Sequence, residues 1–438
     1  MYGIVNRNDI THRKGVARND LMPVEAAITR FLSYITDKTN CSKLEYVHIS
    51  EAGGRVLAED IRASIDLPPF DRADRDGFAL RSSDTKNASV HSTILLDVVG
   101  KQLAGITITA RPLRKGQALE IATGARLPKG VDSVIMVEDV IIDSSNKLIK
   151  TTKSVNRGDY VSTKGSDIKK HQLVLKKGTW LTFQDIALIA SIGLNRVLVR
   201  EKPKVGILAT GDELTEPGQT GLSGSSIFEC NRYMLSCLVK DCGGEPVDLG
   251  LCSDDRDEIY KRLLSALECD IIVVSGGASV GEKDYLHSLI DRLGKPGIVA
   301  HGIAMKPGSP TGLGIIGNKP IIMCPGFPVS AFAAFYIFGK SLLFRMMGTE
   351  GPLSTKLMAE MTESIAVYKD FLTLVRVIVY RHNGKFFAKP VSASGANLIS
   401  TLTRSNGIVV VNHSPSKSKL QKGEMVEVAL IRNIVNKV

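Results

Sequence analysis

Aromatic residues make up only 5% of this 438-residue chain, with a single tryptophan, so few platforms exist on which bases could stack. Basic residues outnumber acidic ones, 56 to 45, for a formal net charge of +11, yet they form no contiguous block and no zinc-finger or helix-turn-helix pattern. No nucleic-acid partner is expected, and the excess positive charge points to a small anionic ligand. The seven cysteines contain no C-x-x-C pair, which removes the usual metal-ligand and dithiol spacings. Cys230, Cys237, Cys242, Cys252 and Cys269 are read as apolar packing. No apolar run is a convincing membrane span. The nearest, FPVSAFAAFYIFGKSLLF at 327–344, carries Lys340 and small residues and reads as a buried helix. The N-terminal segment lacks a signal peptide's apolar stretch, so a cytoplasmic protein with no membrane association is expected.

What is present is the composition of a globular chain, 43% hydrophobic and 23% charged, long enough for two to four domains. In PVEAAITRFLSYITDK (23–38), Val24, Ala27, Ile28, Phe31, Leu32 and Ile35 fall on one helical stripe, with Pro23 suited to the first turn. From about 64 to 154 short β-prone runs punctuated by Gly and Pro predict a small β domain inserted into the first one. Helical periodicity returns over 179–193 and stops at Gly193. Between 201 and 346 strand and helix alternate: KVGILAT, a helix over 229–242, PVDLGL, a helix through DEIYKRLLSAL, DIIVV and a helix through LHSLIDRL. This predicts a mostly parallel sheet covered on both faces, with ligands bound beyond the carboxyl ends of its strands. The segment 352–432 reads as a C-terminal β domain.

Five loops are candidates for the chemistry. SGGASVGEKDY (275–285) follows a strand; Gly276, Gly277 and Gly281 let amides approach an anion, Ser275 and Ser279 add hydroxyls, and Asp284 either caps the next helix or accepts from a ligand. No G-K-[ST] follows, so it is not a P-loop. TGDEL (210–214) offers Asp212 and Glu213, which serve either as turn caps or as ligands of a hard cation. AMKPGSPTG (304–312) and CPGFPVSAF (324–332) are two Pro-Gly-Xaa-Pro turns, the first with Lys306 beside it; either could be a simple tight turn or a rigid set of amides facing an anion. LPPFDRADRDGFAL (67–80) is charge-dense, and its Asp76-Gly77 is an ordinary hairpin signal.

Taken in order, LPPFDRADRDGFAL, IATGARLPKGVDSVIMVED (121–139), GILATGDELTEPG, VVSGGASVGEKDY, KPGSP and PGFPVS resemble the MoeA/gephyrin family of molybdopterin molybdenumtransferases over about residues 20–432. The resemblance implies a multidomain α/β plus β fold: an elongated N-terminal domain from 20–63 and 155–200, an inserted β domain at 64–154, an α/β molybdopterin-binding domain at 201–346 and a C-terminal β domain at 352–432. It implies a homodimer that takes adenylated molybdopterin and molybdate (or tungstate) with Mg²⁺ and releases AMP. Position by position, it implies acidic site residues at Asp76, Asp167, Glu213, Asp254 and Asp284, a loop hydroxyl at Thr123, and a metal held by Asp212, Glu213 and Asp284. Ser279, Lys306, Pro310 and Ser330 are implied around an oxyanion pocket, with Arg376 reaching it from the C-terminal domain. Several positions depart from the family: residues 71–78 read DRADRDGF where it commonly has DNSAMDGY, Ser309 stands where PGKP has a lysine, and Phe327 where PGNP has an asparagine. Related α/β domains also adenylylate molybdopterin or occur in nucleotide-cleaving proteins of the CinA type, and a gephyrin-like scaffold is the non-catalytic alternative.

Overall fold

The computed structural model describes residues 21–35, 43–106, 112–219, 222, 224–277, 285–352 and 354–436. The α/β unit holds the strands β1 (Lys204–Thr210), β2 (Glu245–Cys252), β3 (Ile271–Ser275), β4 (Pro296–His301), β5 (Gly312–Ile316) and β6 (Lys319–Cys324), in the order β2-β1-β3-β6-β5-β4. Pairings from β2 through β6 are parallel, whereas β5 runs antiparallel to both β6 and β4. In β1 every residue after Lys204 is buried, as expected for a strand covered on both faces. Alternate residues divide between two cores: Val205, Ile207, Ile271 and Val273 face one, Leu208, Ile272 and Val274 the other. Helices α1 (Asn231–Asp241) and α4 (Pro328–Met347) cover the first face. Helices α2 (Arg256–Ala266) and α3 (Leu286–Leu293) cover the second. Helix α4 is long and apolar enough to cross a membrane, but 72% of its most apolar window is buried inside the protein.

The inserted domain is a six-stranded sheet built from Ser133–Met136, Gly77–Leu80, Gln117–Ile121, Ile94–Gln102, Leu148–Thr151 and Ile141–Ile142. The chain enters and leaves it through paired strands, Arg72–Ala73 with Val161–Ser162 and Ile61–Arg62 with Leu173–Leu175. Leu44–His48 then pairs with Arg196–Arg200, closing the elongated domain around Val47, Leu57, Leu181, Ile189 and Val199. Asp76-Gly77 is not the hairpin turn its sequence suggests. Gly77 opens a strand pressed between two others, where a Cβ would lie 2.0 Å from the Ile135 carbonyl oxygen. The glycine is there for close approach.

The first helix also departs from the expected grouping. Val24, Ala27 and Phe31 join the apolar cluster of the α/β unit with Val299, Ala300 and Leu313, and Met22 exchanges backbone hydrogen bonds with Gly302 and Ala304. Its stripe is buried by the α/β sheet. The C-terminal unit is a seven-stranded sheet that takes in Met305–Lys306, paired in parallel with Leu372–Thr373. Leu372, Leu374 and Ile408 belong to the same cluster as β1 and α4, so the two units share a core. Among the cysteines Cys242, Cys252, Cys269 and Cys324 are buried as read, Cys230 is half-buried, and Cys237 is exposed, since its turn of α1 faces outward.

Candidate functional site

A cavity of about 490 Å³ opens beyond the carboxyl ends of β1, β3 and β6. Its floor is polar. Asn231, in the first turn of α1, is buried and donates from Nδ2 to Ser275 Oγ at 2.8 Å and to the Gly326 carbonyl at 2.7 Å. Because a carbonyl can only accept, the amide nitrogen must face Gly326. One side chain therefore ties the loops after β3 and β6 to α1, and the Ser275 proton is left to donate to a ligand. Gly276 has φ +99°, and a Cβ there would lie 2.1 Å from the Thr210 carbonyl, so only glycine fits between β1 and β6. Thr210 Oγ1 donates to Asp254 Oδ1 at 2.6 Å, and the Asp254 amide to Asp212 Oδ1 at 3.0 Å.

Behind this floor lies a charge network centred on the buried Arg232 and Glu229. Arg232 bonds Glu216 through both carboxylate oxygens (2.6 and 2.7 Å) and Asp248 at 2.8 Å, and meets Glu229 at 3.5 Å. Burial opposes its charge, but Asp248, Glu216 and Glu229 more than offset that and hold its pKa above the usual value. The network anchors Glu216 and Glu229 beside the parallel pair Leu214–Thr215 and Ile227–Phe228, and so places Glu213, Ile227, Phe228 and Glu229 on the cavity wall.

The residues singled out from sequence divide into three groups. Glu213, Asp254, Ser275, Gly276, Gly277 and Pro310 line the cavity. Asp284 and Ser279 lie outside the described residues. Asp212 stands behind Asp254 rather than on the wall. Among the described residues no group of three or more His, Cys, Asp or Glu is placed to hold a metal.

A second set surrounds the turn after Met305–Lys306. The Lys306 ammonium does not line the cavity; it lies over the rings of Phe371 and Tyr368, 5.3 and 5.9 Å from their centroids. Ser309 Oγ donates to the Met305 carbonyl at 2.8 Å, which closes the turn. Ser330 is buried in the first turn of α4. Arg376 is 1% exposed: Nη2 donates to the Ser394 carbonyl, Nη1 to that of Leu374 at 3.3 Å, and Nε has no partner. Burial pushes its pKa down to about 10, and among the described residues no carboxylate pairs with it. The loop it holds reaches the cavity, since the Val329 amide donates to the Ala396 carbonyl at 3.0 Å and Asn397 lines the wall.

The third set lies in the inserted domain. Asp76 accepts from the amide and hydroxyl of Thr123 at 2.7 and 3.0 Å, and these bonds hold its carboxyl below the usual range. Asp71 and Asp74 likewise accept from Lys164 and Ser162, and the Asp167 amide bonds the Leu67 carbonyl. The charge-dense segment is a hydrogen-bonded cluster at the junction of insert and elongated domain, and none of these residues lines the cavity of its own chain. Sequence reasoning missed Asn231, Glu229 and Asn397. The available signal was an asparagine opening the helix that follows the β1 loop, where such sheets place their ligands.

All three sets fall within regions that match known family models. Family models match residues 22–193 as the MoeA N-terminal region (domains I and II), 206–345 as the probable molybdopterin binding domain, and 358–431 as the MoeA C-terminal region (domain IV). The chain is 32% identical to the molybdopterin molybdenumtransferase of Haemophilus influenzae over 88% of this chain and 94% of that protein. It is 30% identical to the Bacillus subtilis protein of the same name over 94% of each. The crystal structure of the molybdopterin biosynthesis MoeA protein from Pyrococcus horikoshii superposes with a TM-score of 0.80 at 33% identity, covering 94% of this chain and 100% of that one. With its N-terminal, α/β and C-terminal regions matched in order and a cleft at the strand ends of the second, the chain belongs to the MoeA family.

Proposed function

We propose that the protein inserts molybdenum into adenylated molybdopterin, releasing AMP, in the last step of molybdenum-cofactor assembly, with tungstate as an alternative oxyanion. The observation that carries this reading is Arg376. A buried guanidinium with an unpaired Nε and no countercharge is costly in an idle structure and suited to a dianion. It stands behind the loop that brings Asn397 to the cavity, three strand residues beyond Thr373, the partner of Lys306. A tetrahedral dianion would be held there by guanidinium, ammonium and hydroxyl donors. The floor, with the Ser275 hydroxyl and the turn at Gly277, suits the phosphate-bearing pterin.

Glu213 and Asp254 on the wall fit a Mg²⁺ bridged to substrate phosphates, because this ion needs only one or two protein carboxylates. Bound there, it would neutralise the diphosphate and make AMP a better leaving group. Asp76, Thr123 and Asp167 complete the site from the second subunit of a homodimer working in the cytoplasm. Incubation with adenylated molybdopterin, Mg²⁺ and either oxyanion tests the reaction. AMP release that depends on the oxyanion is expected. Release that ignores it, or synthesis of the adenylated pterin from ATP, places the protein with the adenylyltransferases, and no turnover leaves the scaffold reading.

A further inference from the structure

The cavity is polar on its floor and apolar on its rim. Three of the large apolar side chains that the α/β unit exposes, Ile227, Phe228 and Phe327, line this one opening, and Phe327 is 59% exposed. Its backbone is fixed on both sides. The carbonyl of Gly326 is held by Asn231, Pro328 begins α4, and the Ala331 amide donates to the Phe327 carbonyl at 2.9 Å. The loop also rests on the glycine turn: a Cβ on Gly326 would lie 3.9 Å from Gly276 Cα. The ring is thus presented to solvent on a rigid turn beside the Ser275 hydroxyl and the glycine turn that line the same cavity.

We propose that Phe327, with Phe228 on the opposing segment, is a stacking platform for a planar two-ring nitrogen heterocycle, the pterin or the adenine of the substrate, whose phosphates extend to Gly276 and Gly277. The identity of this ligand rests on the proposed function; the platform itself does not. A flat π face held in place binds such rings at little conformational cost, and the ring and phosphate sites line one cavity. Where the family pattern has asparagine, this chain exchanges an amide hydrogen bond for ring contact.

Calorimetric titration with AMP, neopterin and ribose 5-phosphate tests this on the full chain. In Phe327→Ala, affinity for AMP or for neopterin falls roughly 5- to 150-fold, the range for losing one stacked base, and ribose 5-phosphate binds as before. The probe that suffers identifies the heterocycle. Phe327→Trp retains affinity, and Phe327→Leu, apolar without a π face, does not. Equal affinities in Phe327→Ala and wild type overturn the platform, as does an equal loss for all three probes, a change of oligomeric state in that variant, or a wild type that binds neither heterocycle. A wild type that binds the heterocycles but shows no oxyanion-dependent AMP release removes the transferase reading and leaves the platform intact.

Discussion

Replacing Asn231 by alanine should loosen the cavity floor without removing any residue of the sheet. The lost amide serves two acceptors, Ser275 Oγ at 2.8 Å and the Gly326 carbonyl at 2.7 Å. Each neutral hydrogen bond contributes about 0.5–1.5 kcal/mol net, so the α/β unit should lose about 2 kcal/mol. The buried Ser275 hydroxyl and the Gly326 carbonyl then lack a partner unless water enters. Asn231→Asp should cost more at neutral pH, because a carboxylate then opposes the Gly326 carbonyl and supplies no donor. Urea denaturation followed by tryptophan fluorescence reads the loss, since Trp180 packs against the same core as α1. AMP release should fall alongside, as the Phe327 loop loses its tether. If the alanine variant keeps both its urea midpoint and its rate, or if the aspartate variant is the more stable of the two, the bridging role is wrong.

Other substitutions test the remaining parts of the site. Ser309→Lys adds an ammonium to the turn below Lys306, and a charge-assisted bond of about 1.5–3 kcal/mol should lower the apparent oxyanion KM roughly tenfold or more. Unchanged saturation curves for molybdate and tungstate would mean that position 309 does not face the anion. Arg376→Met should raise the same KM by a similar factor while the protein stays folded, and activity within twofold of wild type would remove Arg376 from the pocket. Equal amounts of Asp76→Asn and Asp254→Asn, each inactive alone, should regain about a quarter of wild-type activity after subunit exchange, because mixed dimers hold one intact site. No recovery despite exchange would assign both residues to one chain's site. In native protein Cys237 should react with an alkylating reagent, whereas Cys324, whose thiol is fully buried with its pKa pushed up to about 12, should stay unlabelled until unfolding. Mass spectrometry of the labelled peptides decides it.

Much of the architecture was legible because it obeys short-range rules. KVGILAT reads as a strand buried on both faces and is one, and the helix through LHSLIDRL has its predicted bounds. The turns at Gly276 and at Pro325–Pro328 were legible for the same reason, since Gly and Pro restrict the backbone wherever they stand. What failed to show was pairwise geometry across long separations. Nothing local distinguishes Asn231 as a bridge, since its acceptors lie 44 and 95 positions away. Gly77 looks like half of a turn until the strand at 133–136 is laid against it. Nor does anything near Lys306 in the chain show that its ammonium lies over the rings of Tyr368 and Phe371, 62 and 65 positions on. The first helix announced its apolar stripe but not which core would receive it.

That helix imposes an order on synthesis. Val24, Ala27 and Phe31 leave the ribosome long before β4 and β5 exist, and their resting place includes Val299, Ala300 and Leu313. At typical elongation rates the interval is tens of seconds, during which an amphipathic segment waits while the elongated and inserted domains are made and fold behind it. The α/β unit therefore reaches its native packing only after the elongated and inserted domains, although its first helix is among the earliest made. Nascent chains stalled before residue 299 should display this helix to chaperones, and chains stalled well beyond residue 322 should not.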